Sequence, residues 1–222
     1  MTEPADDRFD AMRAIESERL ALCDFLDTLG DDDWSTQSWC DAWTVRQVVA
    51  HLTTSTRTGW SDIIVGAIAA RGNFDRMERD RARRLAGEYG PADLVEQIRA
   101  TASSPKRAPM SDQLDPLVDF IVHGQDIARP IGARLETSPS RVAAALNHVV
   151  TSRWYGAQKR FADLSLNATD CEWSFGQRGD QVGGRVIDLL LVATGRAQVL
   201  PDLTGDGVVR LAERLGSGAS AG

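Results

Sequence analysis

The chain has 222 residues, with 25 Lys and Arg against 32 Asp and Glu, a formal net charge of −7 and an isoelectric point near 5.0. That length is enough to bury a real core, and the acidic balance excludes a nucleic-acid binder or a ligand of anionic membrane surfaces, because no basic excess exists to neutralise phosphates. The acidic start Met1-Thr-Glu-Pro-Ala-Asp-Asp is unlike a signal peptide, and no long apolar run is present, so a soluble, cytoplasmic protein is expected.

In chain order, Phe9, Met12, Ile15, Leu20, Leu22, Phe25, Leu26 and Leu29 recur at spacings of three and four, predicting a first helix over residues 8–29 that stops at Gly30. Residues 31–41, with Trp34 and Trp39, read as a connecting loop. Thr44-x-x-Gln47 then has the form of a capping box. The helix it opens carries Val45, Val48, Val49 and Leu52 on one stripe and is expected to continue, with a break near Gly59, to Ala70.

The stretch from Phe74 to Leu85 predicts a charged helix whose arginines, with acids interleaved, read as a solvated face rather than an anion site. Gly90-Pro91 starts a helix to about Ser103, with proline in the first turn, and the breakers of residues 104–114 predict a loop. Asp115-Pro116 opens a helix that Pro130 terminates, so it should run to Arg129. Ser138-Pro139 repeats the device for a long helix through Phe161.

After Ala162 the period changes. Leu164, Leu166 and Ala168 alternate with polar residues, and so do Cys171, Trp173 and Phe175, which predicts two strands before Gly176–Gly179. A helix over 185–194 and a last helix over 206–215 follow. The expected organisation is mainly α: a helical bundle over 1–162, a small α+β C-terminal subdomain over 163–216 and a disordered tail over 217–222.

Cys23, Cys40 and Cys171 are far apart and odd in number, so neither a disulfide framework nor a thiolate zinc knuckle is indicated. They read as small core residues, with a nucleophilic Cys40 beside Trp39 as the alternative.

The chain has only three histidines. His51 lies on the second helix. His123 lies on the helix after Asp115, one turn beyond Asp119 and one turn before Asp126. On a wheel of roughly 100° per residue, Asp119, His123 and Asp126 fall in one narrow polar sector of an otherwise apolar helix. A solvated helix shows a wider polar face, so the strip suggests a wet interior cleft. His51, Asp119 and His123 together make a two-histidine, one-carboxylate set, the ligand inventory of an open divalent-metal site. Spacing alone also permits an exposed Asp119–His123 ion pair and a hydrogen-bonded His51 at a core edge. Asp126 either orients an imidazole or is a surface charge near a helix end. Arg46 reads as a structural ion-pair partner, and His148 as structural.

Three segments carry a family resemblance. Trp43-Thr-Val-Arg-Gln-Val-Val-Ala-His51-Leu52, Asp119-Phe-Ile-Val-His123-Gly-Gln-Asp126-Ile-Ala-Arg129, and Leu189-Leu-Leu-Val-Ala-Thr-Gly-Arg196 with Leu203-Thr-Gly205 resemble, in order, the signatures of the mycothiol-dependent maleylpyruvate isomerase family, within the DinB-like four-helix superfamily. The resemblance implies a DinB-like up-and-down four-helix bundle and a divalent metal, usually zinc, held by His51, Asp119 and His123. The family typically has Glu at the carboxylate position, and Asp119 is one methylene shorter.

The resemblance further implies mycothiol as co-substrate and cis–trans isomerisation through thiolate addition and elimination. The alternatives are a mycothiol S-transferase acting on electrophiles, and a non-catalytic metal- or ligand-binding module. Isomerisation of a dicarboxylate needs cationic groups, for which Arg46, Arg83, Lys106, Arg107 and Arg129 are candidates. The expected partners are a small-molecule substrate and a low-molecular-weight thiol, with neither nucleic acid nor membrane, in a monomer or homodimer.

Overall fold

A computed structural model describes residues 9–40, 43–56, 74–109 and 111–218. It is mainly helical with one small sheet. In chain order the elements are α1 (Ala11–Leu26), α2 (Val45–Leu52), α3 (Phe74–Glu88), α4 (Pro91–Arg99), α5 (Asp115–Ala128), α6 (Pro139–Thr151), α7 (Ala157–Arg160), β1 (Leu164–Ala168), β2 (Ser174–Phe175), β3 (Asp180–Gly184), α8 (Val186–Ala193) and α9 (Gly207–Gly218), with 3₁₀ turns at Asp33–Ser35 and Ala197–Asp202. The chain divides into two compact units. Met1–Ser35 with Arg46–Phe120 form one, and Thr36–Val45 with Ile121–Gly222 the other.

In the first unit α1 packs along α4. Asp10 caps α1, its Oδ1 accepting from the Arg13 amide at 3.1 Å, and the helix buries Ala14, Ile15, Leu22, Cys23 and Leu26. It ends at Leu26 rather than near Gly30 because Thr28 and Leu29 bond to carbonyls only three residues back, tightening the last turn to 3₁₀ geometry. Arg19, 1% exposed, crosses to the far end of α4. Its Nη1 donates to the carbonyls of Thr101, Ala102 and Ser104 at 3.3, 3.0 and 3.1 Å. The Arg19 guanidinium also lies 5.3 Å from the centre of the Phe120 ring. At the surface Arg99 pairs with Asp24 and Asp27.

α2 begins at Val45, as a Thr44 cap predicts, and buries Val45, Val48, Val49, Ala50 and Leu52. Its expected continuation past Gly59 to Ala70 lies outside the described residues. α3 presents exposed i,i+4 pairs, Arg76–Asp80 and Arg84–Glu88, with Met77, Ala82 and Ala86 buried beneath. Arg46 differs from expectation. A backbone carbonyl takes it, that of Tyr89 at 2.7 Å, because the end of α3 offers unpaired carbonyls to a nearby guanidinium.

In the second unit α6 packs on α8, and every residue of α8 is buried. The Oδ1 of Asp170 accepts from the Val186 amide at 2.8 Å and so caps α8. The helix expected to run from Pro139 to Phe161 ends at Thr151. Ser152 is extended and Gly156 has φ +70°, a left-handed conformation that interrupts helical winding. At the other end of the chain, α9 extends to Gly218, so 217–218 are helical rather than tail; 219–222 lie outside the described residues.

The sheet has the order β2-β1-β3, with β2 antiparallel and β3 parallel to β1. Only Ser174–Phe175 of the second expected strand pair, and β3 was not anticipated, because Asp-Gln-Val-Gly-Gly shows no apolar alternation. The link from β2 to β3 passes the start of β1 in four residues. Gly176 (φ +76°) and Gly179 (φ +131°) make that possible: a Cβ would stand 2.3 Å from the Leu164 carbonyl oxygen and 2.1 Å from that of Asp163 respectively. No helix among the described residues is long and apolar enough to cross a membrane.

Candidate functional site

The 36–45 segment is more than a connector. Gln37 and Thr44 form an antiparallel bridge. The Ser38 amide and hydroxyl both donate to the Trp43 carbonyl, at 3.1 and 2.8 Å, while the Cys40 amide donates to Ser38 Oγ at 3.1 Å. The Trp39 amide donates to the Asp126 carbonyl at 3.0 Å, fastening the segment to α5. Cys40 is thereby delivered to the polar strip of that helix.

Asp126 is fully buried and is the centre of the cluster, so it is no surface charge. Its Oδ2 lies 2.9 Å from His123 Nδ1, and it accepts from the Cys40 thiol at 3.3 Å. Arg196, just past the end of α8, grips the carboxylate with both sides of its fork: Nε to Oδ1 at 3.1 Å and Nη2 to Oδ2 at 2.6 Å. Arg196 Nη1 is spent on the Thr194 carbonyl at 2.9 Å. The Trp43 ring leans on His123, with centroids 6.2 Å apart.

Burial by itself raises a carboxyl pKa, yet hydrogen bonds from His123 and Arg196 and the guanidinium charge outweigh it and hold Asp126 well below the usual carboxylate range. An ionised Asp126 only accepts, so His123 Nδ1 is the donor and the lone pair of a neutral ring resides on Nε2. The Cys40 thiol is pushed up to about 12 by burial and then by the Asp126 charge. A thiol so held is a hydrogen-bond donor rather than a nucleophile, which argues against the nucleophilic reading of Cys40. Cys23 is the small core residue expected, whereas Cys40 and Cys171 are part-exposed.

Two of the anticipated ligands, Asp119 and His123, share α5, both part-exposed. The third, His51, belongs to the first unit, as Asp119 does, whereas His123 belongs to the second. The Nδ1 of His51 lies 3.1 Å from Glu78 Oε2, a residue the sequence reading passed over as one of the interleaved acids. Both motif histidines therefore meet a carboxylate at Nδ1, the arrangement that presents Nε2 to a metal. On that ground the imidazole and carboxylate donors fit a borderline divalent ion such as zinc.

Among the described residues, Cys40, His123 and Asp126 are also one group whose potential ligand atoms all lie within 4.8 Å of one another. Cys40 and Arg196 were not assigned roles in this cluster from the sequence. The only trace of Arg196 there was its place in the Thr194-Gly195-Arg196 ending.

The candidate carboxylate-binding cations are largely engaged. Arg129 pairs with Asp188 at 2.5 Å, donates to Gln125 Oε1 at 3.0 Å and stacks over Trp39. Arg107 bonds the Ser111 carbonyl, while Arg83 and Lys106 are exposed. His148 meets Tyr155 edge-on, as a structural histidine does.

Residues 15–118 match the family model for the mycothiol maleylpyruvate isomerase N-terminal domain. The match ends one residue before Asp119, so His51 lies inside it and Asp119, His123, Asp126 and Arg196 beyond it. The fold is that of a solved relative: the crystal structure of the mycothiol-dependent maleylpyruvate isomerase superimposes with a TM-score of 0.60 at 12% identity, covering 88% of this chain and 91% of that one. A histidine-to-alanine mutant of that enzyme gives 0.58 over the same coverage. At such identity the likeness establishes the fold. A search of curated protein sequences found no match.

Proposed function

We propose that this protein is a divalent-metal- and mycothiol-dependent enzyme that isomerises a maleylpyruvate-like cis-dicarboxylate. The observation that carries the reading is the fixed imidazole of His123, whose Nδ1 is held by a buried, ionised Asp126 that Arg196 locks in turn. In the proposed ligand set His123 contributes Nε2, Asp119 its carboxylate one turn earlier, and His51 its ring, the last by the family resemblance.

A divalent ion held by His51, Asp119 and His123 would supply a Lewis acid able to lower the pKa of a low-molecular-weight thiol. The chain's own residues do the rest. Asp126 keeps the proton at Nδ1, Arg196 keeps Asp126 ionised, and Trp43 restricts the ring's rotation. Asp119, one methylene shorter than the family's Glu, would supply its carboxylate from α5. The partners are then small molecules, and the expected setting is the cytoplasm.

One observation favours a second activity. Arg46, Arg107 and Arg129, candidates for binding two substrate carboxylates, are tied to protein acceptors, so transfer of the thiol to an uncharged electrophile is the runner-up. Another observation favours a second ligand set, since Cys40, His123 and Asp126 have the spacing of one. The Arg196 guanidinium on Asp126 opposes a cation there.

Metal analysis of the purified protein decides first, with about one ion per chain expected and loss in His51→Ala and His123→Ala. A metal-free wild type sinks the catalytic reading. Cys40→Ser keeps the ion if the ligands are His51, Asp119 and His123, and loses it if Cys40 is a ligand. Turnover of maleylpyruvate with mycothiol, against a panel of electrophiles, separates isomerase from transferase.

A further inference from the structure

Among the described residues of α3, two solvated ion pairs contrast with a withdrawn acid. The side chains of Arg76, Asp80, Arg84 and Glu88 are 62%, 61%, 66% and 50% exposed, whereas that of Glu78 is 17% exposed and lies against a His51 side chain that is 19% exposed. Desolvating a carboxylate is costly unless a donor answers it. His51 Nδ1, 3.1 Å from Glu78 Oε2, is placed to do so, in an ion-pair approach rather than an in-line hydrogen bond. As at His123, a carboxylate oxygen stands beside Nδ1, although there Asp126 Oδ2 makes a hydrogen bond at 2.9 Å.

We propose that Glu78 is the positioning residue of His51: its carboxylate holds the Nδ1–H tautomer and the ring orientation, so that Nε2 carries the lone pair offered to a divalent cation. The proposal rests on the metal reading above and adds to it a residue from outside the ligand motifs. It assigns a purpose to an acid of α3 that is withdrawn from solvent next to a histidine. Glu78 touches neither substrate nor ion and acts only through His51.

The test uses the full-length wild type with Glu78→Ala, Glu78→Gln and Glu78→Asp. Each is titrated with Zn²⁺ against a chromophoric chelator, and the imidazole ¹⁵N shifts of His51 are recorded on the metal-free protein at alkaline pH. The expected result is one Zn²⁺ site retained with affinity about 10–100-fold weaker in the Ala and Gln variants. The Nδ1–H tautomer of His51 should decline in both, and the Asp variant should recover part of each. A folded Glu78→Ala protein with wild-type affinity and unchanged His51 shifts overturns the proposal while leaving the metal reading intact. Complete loss of the site with unchanged shifts overturns it too, by making Glu78 a ligand. Should the wild type itself bind no Zn²⁺, the metal reading fails, and the His51 shifts alone still decide whether Glu78 holds the tautomer.

Discussion

Asp126 and Arg196 are 70 residues apart in sequence, yet they form a two-point ion pair, 3.1 and 2.6 Å long, around a carboxylate that has no solvent exposure. Asp126 is fully buried and Arg196 only 16% exposed, so removing either leaves a largely buried charge without its main partner. Asp126→Asn and Arg196→Met should each cost about 3–5 kcal/mol, read as a shift in the urea midpoint. The double variant should cost less than the sum of the two. Single variants within about 1 kcal/mol of wild type would mean that the pair is solvated in solution.

The link between β2 and β3 makes a second prediction. Gly179→Ala places a methyl 2.1 Å from the Asp163 carbonyl oxygen at φ +131°, while Gly132→Ala, at φ +72°, meets nothing within 4 Å. The second change carries only the left-handed backbone penalty, about 1–2 kcal/mol. The first adds a backbone clash and should destabilise clearly more, through loss of the β1–β3 pairing. Equal midpoints for the two variants in denaturant would refute the crossing geometry.

Arg19 concerns the first unit. Its guanidinium satisfies three carbonyls beyond α4 with one nitrogen, so Arg19→Met strands acceptors in a buried setting. A loss of about 1–3 kcal/mol is expected, with faster amide exchange in residues 100–104. A neutral outcome would show that water takes over those carbonyls.

Cys23 gives a pH dependence. Its fully buried thiol is pushed up to about 11, first by burial, whereas an unfolded-chain thiol titrates at about 8.5. A folded pKa above the unfolded one contributes stability that is complete below about pH 8.5 and is lost as the pH rises toward about 11. Denaturation midpoints should therefore fall more steeply over that interval in wild type than in Cys23→Ala, and native Cys23 should resist alkylation. Parallel pH profiles for the two proteins would contradict a buried thiol.

The sequence by itself located most of the helices and, on α5, the His123 and Asp126 that meet in the cluster. The 3.6-residue repeat and the Asp-Pro and Ser-Pro starts located α1, α5, α6 and α8 to within a few residues except at the end of α6, where an extended Ser152 ends the helix early. The polar strip of Asp119, His123 and Asp126 was legible because side chains three and four apart on one helix share a face whatever surrounds it. Tertiary structure alone decided that Cys40 and Arg196, 86 and 70 residues from Asp126, converge on it, that Glu78 turns from a solvated helix to His51, and that a glycine-rich stretch without alternation becomes β3. Periodicity is a local property of the backbone, whereas these pairings follow from the paths of loops and from buried charges seeking partners, for which no local pattern exists.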